Sequence, residues 1–112
     1  MHPLLCEDTL RQLADDVGSN LLPELFAVFI DENEPKLMRL EQMQVEQDIE
    51  ELQSLFHTLK SSAASYGGLR LAALATDLDS ACKRRDLQTI EAGLPEFSSV
   101  YRQTIEVMKT RY

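Results

Sequence analysis

Leu52-Gln53-Ser54-Leu55-Phe56-His57-Thr58-Leu59-Lys60-Ser61-Ser62-Ala63-Ala64-Ser65-Tyr66-Gly67-Gly68 decides the fold of this chain. Placed on a helix at about 100° per residue, Phe56, Leu59 and Ala63 fall within about 40° of Leu52 and form an inward stripe. His57, Ser61, Ala64 and Gly68 gather at roughly 120° to 180°, with Lys60 on their edge at about 80°. The spacing predicts an amphipathic helix that buries its leucines, turns His57 outward and stops at Gly67-Gly68. Asp48 followed by Glu51 predicts a capping-box start for it.

The same periodicity extends in both directions, and no alternating β-branched run or Asn-Gly or Asp-Gly hairpin signal interrupts it. Thr9 is placed to cap a short first helix carrying Leu10, Leu13, Ala14 and Val17, closed by Gly18. A second helix is expected from near Asn20, with Pro23 in its first turn and Leu22, Leu25, Phe26, Phe29 and Ile30 inward. Pro35 predicts a kink or pause at residues 31–34 before Leu37, Leu40 and Met43 resume the stripe. The fourth helix runs from about Leu69 to Arg85 through Leu71, Leu74, Ala75, Leu78 and Cys82. The fifth carries Leu87, Ile90, Leu94, Phe97, Tyr101, Thr104 and Met108, with Gly93 and Pro95 marking a kink or a late start. Short connections make neighbours antiparallel. The expected fold is therefore all-α: an up-down antiparallel four-helix bundle with a short extra N-terminal helix, one domain over residues 1–112.

Composition excludes several functions. The chain has 112 residues, with 19 acids against 11 Lys and Arg and a formal net charge of −8. Such a field repels phosphate backbones and anionic lipid, so neither nucleic acid nor membrane is an expected partner. The charge is uneven: residues 1–51 hold 13 acids and 3 bases, while residues 52–112 hold 6 acids and 8 bases. Cys6 and Cys82 are isolated, as expected of reduced thiols in a cytoplasmic protein, and no metal-ligand spacing is present. No stretch approaches the roughly 18 apolar residues of a membrane span. The acids of Asp31-Glu32-Asn33-Glu34 read as a solvated face, and Lys83-Arg84-Arg85 as a solvated helix end that suits the dipole.

His57 is the residue with chemistry. A neutral imidazole is nucleophilic near pH 7 and can carry a phosphoryl group as a phosphoramidate. Its face is nearly bare, with Ser61 at i+4, Ala64 at i+7 and Gly68 at i+11, so another protein can approach. Lys60 at i+3 is placed to neutralise an anion on the ring. The plainer alternative is a half-exposed surface histidine on a helix whose small residues serve close packing. Arg70, just past the glycine turn, is a candidate partner contact.

His57-Thr58-Leu59-Lys60-Ser61-Ser62-Ala63, with Gly67 ten positions after the histidine, resembles the signature of histidine-containing phosphotransfer (Hpt) domains, and most of all their free-standing quorum-sensing members. The resemblance implies that His57 is phosphorylated, that Lys60 stabilises the phosphate and that the docking surface comprises Gln53, Ser61, Ala64, Gly68 and Arg70. It implies a monomeric phosphorelay intermediate between the receiver domain of a hybrid sensor histidine kinase and that of a response regulator. Mg²⁺ would sit in the partner receiver, with no cofactor held by this chain. There is no P-loop or glycine-rich ATP lid, so kinase activity of its own is not expected. A helical adaptor or inhibitor that binds a kinase or regulator without being phosphorylated is the alternative.

Overall fold

A computed structural model describes residues 2–111, with the side chain of Arg111 outside the description. Five α-helices follow one another: α1 Glu7–Val17, α2 Leu22–Gln42, α3 Ile49–Ser65, α4 Leu69–Lys83 and α5 Leu87–Arg111, with a 3₁₀ turn at Ser19–Leu21 ahead of α2. Among the described residues there is no strand, and no helix is long and apolar enough to cross a membrane. Helix α3 packs along α4, α4 along α5 and α5 along α2, while α1 lies against the start of α2. Arg39 of α2 closes the ring, its Nε and guanidinium N–H donating to Glu51 of α3 at 2.9 and 3.1 Å.

The expected stripes meet in one core. Phe26, Phe29, Leu37 and Leu40 from α2, Leu52, Phe56 and Leu59 from α3, Leu71, Ala75 and Leu78 from α4, and Ile90, Phe97, Tyr101 and Met108 from α5 are all buried. The Phe56 and Phe97 rings meet edge to face at 5.1 Å. Helices α4 and α5 approach closely at Gly93, where a Cβ would lie 2.6 Å from Leu78 Cδ2 and would force that side chain to shift.

Some local details differ from expectation, although α3 does start at Asp48. Pro35 and Pro95 both lie inside continuous helices. Each proline frees one carbonyl a turn earlier, at Asp31 and Glu91, and both residues are exposed, where solvent can satisfy a freed carbonyl. Helix α1 begins at Glu7, not at a Thr9 cap. The segment before it is already tethered, since Cys6 N–H donates to Gly67 O at 2.8 Å and Arg70 N–H to Leu4 O at 3.4 Å. Asp48 is the N-cap of α3 but makes no capping bond. Its Oδ2 accepts from Gln44 N–H at 2.9 Å, closing the preceding turn instead. Asn33, read as solvated, is buried and donates to Phe29 O at 2.7 Å.

Helix α3 ends as the glycine pair requires. Gly67 has φ +82, Gly68 N–H donates to Ala63 O and Gly67 N–H to Ala64 O, which is a Schellman closure. Helix α4 ends at Lys83 in the same pattern, with Arg85 at φ 54 in the left-handed position.

The two cysteines are free and differ in burial, Cys6 being half-buried and Cys82 buried. Burial, together with the nearby Asp79 charge, pushes the Cys82 thiol up to about 11. Hydrogen bonds from the Thr9 side chain and backbone lower that of Cys6. A thiol reagent at pH 8 is therefore expected to modify Cys6 rapidly and Cys82 only on unfolding. Two equally fast thiols would contradict the packing of Cys82.

Candidate functional site

His57 sits midway along α3 with its side chain 64% exposed. The leucine stripe is anchored in the core on the opposite side of the helix, which fixes the outward direction of the ring. On its own face Ser61 and Ala64 are exposed and Gln53 is half-buried. Gly68 does not join them. It is buried, and a Cβ there would meet Ala63 O and Thr104 Cγ2 at 3.4 Å. Arg70 is half-buried and uses its Nε–H to bond His2 O at 2.8 Å, which clasps the N-terminal segment to the α3–α4 turn.

The decisive group comes from α4. Asp79 is 1% exposed, and one of its oxygens, Oδ2, gathers three nitrogens: Lys60 Nζ at 2.9 Å, His57 Nδ1 at 3.4 Å and Lys83 Nζ at 3.4 Å. Burial on its own would raise this carboxyl. The hydrogen bonds from Lys60 and His57 and the charges of Lys60 and Lys83 outweigh it and hold Asp79 below the usual carboxylate range. An ionised carboxylate only accepts, so the histidine nitrogen facing it is Nδ1–H, and the lone pair is left on Nε2. The arrangement favours the neutral tautomer that carries its proton on Nδ1 and its lone pair on the exposed Nε2.

Sequence reasoning placed Lys60 beside an anion on the ring; its ammonium donates to Asp79. Asp79 itself was missed. The signal was present: it falls four residues after Ala75 and three before Cys82, an acid on the apolar face of α4. Lys83, expected at a solvated helix end, reaches back one turn to the same carboxylate. Among the described residues no group of three His, Cys, Asp or Glu side chains converges as a metal site would require.

Comparison with known proteins bears on this geometry. A family model described as "Hpt domain" matches residues 24–109. The chain belongs to the Hpt domain family. Curated relatives of this Hpt domain include a phosphorelay protein LuxU of Vibrio cholerae serotype O1, 33% identical over 104 residues that cover 93% of this chain and 92% of the relative. Another is the phosphorelay protein LuxU of Vibrio harveyi, 32% identical over 85 residues, or 76% of this chain and 75% of the relative. A third, from Vibrio vulnificus, is 31% identical over 83 residues, 74% and 72% of the two chains. No solved structure matches the chain significantly.

Proposed function

We propose that this Hpt domain is a phosphorelay intermediate that accepts a phosphoryl group on His57 Nε2 from a receiver aspartyl phosphate and passes it to the aspartate of a second receiver. One observation carries the reading: an exposed imidazole on a small-residue helix face has its Nδ1 against the buried, ionised carboxylate of Asp79.

The chemistry balances without an external proton. The Nε2 lone pair attacks phosphorus, an N–P bond forms, the P–O bond to the donor aspartate breaks, and that aspartate leaves as carboxylate. The proton stays on Nδ1, so the product ring is cationic and the adjacent Asp79 carboxylate stabilises it. A phosphorylated ring that keeps its Nδ1 proton is also a good leaving group, which favours onward transfer. Lys60 holds Asp79 in place and adds positive charge beside the ring. Gln53, Ser61 and Ala64 form the nearest part of the docking surface. Mg²⁺ and the remaining catalytic groups belong to the receivers, so this chain supplies a nucleophile and a surface and has no kinase chemistry of its own. In-line alignment by the partner supplies most of the acceleration. A modest interface with fast release suits transient encounters.

The first receiver in this reading is that of a hybrid sensor kinase and the second that of a response regulator, in quorum-sensing two-component signalling. Kinship to vibrio phosphorelay proteins supports it. The protein acts in the cytoplasm as a monomer. The test is incubation with a phosphorylated receiver domain from the same genome, followed by measurement of label on this chain. Label that is lost in acid and kept in alkali is expected. Stoichiometric binding with no covalent label would overturn the relay reading in favour of a non-phosphorylated adaptor or inhibitor.

A further inference from the structure

The ridge of α3 that carries His57 is bordered on its α2 side by a groove. It measures about 340 Å³, with Pro35, Lys36 and Arg39 of α2 along one wall and Ser54 and Thr58 of α3 along the other. Buried Leu55 gives it an apolar floor. Thr58 follows His57 directly and Ser54 lies three residues before it, so the groove adjoins the segment that presents the imidazole.

The two cations of the groove differ. Arg39 is engaged, donating to both carboxylate oxygens of Glu51 at 2.9 and 3.1 Å. Lys36 is exposed and takes part in no ion pair among the described residues, not even with Glu32 four residues earlier. Residues 1–51 hold 13 acids and 3 bases. The other two bases, Arg11 and Arg39, are paired with Asp8 and with Glu51. Lys36 is therefore an uncompensated cation in the acidic half of the chain, on the wall that faces the histidine helix.

A receiver that hands a phosphoryl group to Nε2 has to centre on His57. An interface at the low end of the specific range, about 600 Å² per partner, is roughly 28 Å across, and packed helix axes lie about 8–10 Å apart, so the groove falls under that footprint. The facing surface is acidic, because Mg²⁺ beside an aspartyl phosphate is held by carboxylates.

We infer that the α2–α3 groove takes an acidic side chain of the receiver domain, its methylenes over Leu55 and its carboxylate on Lys36. The inference rests on the phosphorelay reading and adds a contact on α2 to it. Lys36 sets the affinity for the receiver and takes no part in the chemistry at His57.

The experiment uses the intact chain and a phosphorylated receiver domain, and follows label on His57 as receiver concentration is varied. Lys36→Glu is expected to raise the half-saturating concentration about fivefold, the upper range of an exposed ion pair, at an unchanged saturating rate. Lys36→Ala should raise it about twofold, and added salt should shrink both differences. Lys109→Glu, the same change in net charge on α5, should match the parent. Phosphoramidate, a small-molecule donor that needs no docking surface, should modify the parent and all three variants at closely similar rates. A Lys36→Glu variant that saturates at the parent's receiver concentration, that is no weaker than Lys109→Glu, or that slows equally with phosphoramidate overturns the groove contact while leaving His57 as carrier. A parent chain labelled by phosphoramidate but by no receiver overturns the relay reading and the contact with it.

Discussion

Replacing His57 with Gln is expected to abolish phosphoryl acceptance while leaving the bundle intact. The side chain is 64% exposed and contributes nothing to the apolar core, so the stability change should stay within about 0.5 kcal/mol. Glutamine also offers an N–H to Asp79, which keeps that buried carboxylate compensated. What it lacks is a nitrogen lone pair, since the amide nitrogen is delocalised into the carbonyl. No acid-labile label should therefore appear after incubation with a phosphorylated receiver, and circular dichroism should match the parent protein. Label that persists in the variant would remove His57 from the centre of the mechanism.

The second large effect is expected from Asp79→Asn, a change of one atom on a different helix. Asparagine can turn its amide N–H towards Nδ1, which favours the tautomer with the proton on Nε2 and takes the lone pair away from the exposed side. It also removes the charge that stabilises the cationic phosphorylated ring. Phosphoryl acceptance should fall by about 10- to 100-fold, the usual cost of losing a group that orients a reactive imidazole. Transfer at the parent rate would show that Asp79 is only a structural ion-pair partner.

The same variant reports on stability. Asp79 titrates below its ordinary value in the folded protein, so its contribution is complete above the unfolded carboxylate value of about 4 and is lost as pH falls through the lower folded value. Urea midpoints measured between pH 2 and 6 should fall with acid more steeply for the parent than for Asp79→Asn. Equal slopes would mean that the Lys60 and Lys83 contacts add no net stability to the carboxylate.

The prolines show where local reading reached its limit. A proline inside a helix costs one hydrogen bond and crowds the preceding turn, about 3 kcal/mol or more, which favours a break when nothing else is counted. In α2, buried Phe29 and Leu37 lie on either side of Pro35, and in α5, buried Ile90 and Phe97 flank Pro95. Burying each such side chain is worth about 1.5–3 kcal/mol, so continuity wins once both halves of a helix face the same core. Thr9 is a smaller instance, a good capping residue whose helix starts earlier, next to the tether from Cys6 N–H to Gly67 O, and Asp48 stands at the N-cap of α3 but spends its carboxylate on the local turn from Gln44.

By itself the sequence determined the number and order of the helices, the inward stripes, the glycine stop after α3 and the outward direction of His57. All of these follow from periodicity and turn chemistry within a few residues of one another. Only the tertiary structure decided what stands behind the imidazole. His57 and Asp79 are 22 residues apart, on α3 and α4. Their meeting depends on the rotation and height of one helix against the other, which the packing of Leu59, Ala63, Leu71, Ala75 and Leu78 settles and no local pattern encodes. The same packing buried Gly68, which spacing had placed on the open face, and drew Lys83 from the solvated end of α4 into the site, because a buried carboxylate attracts every cation that can reach it.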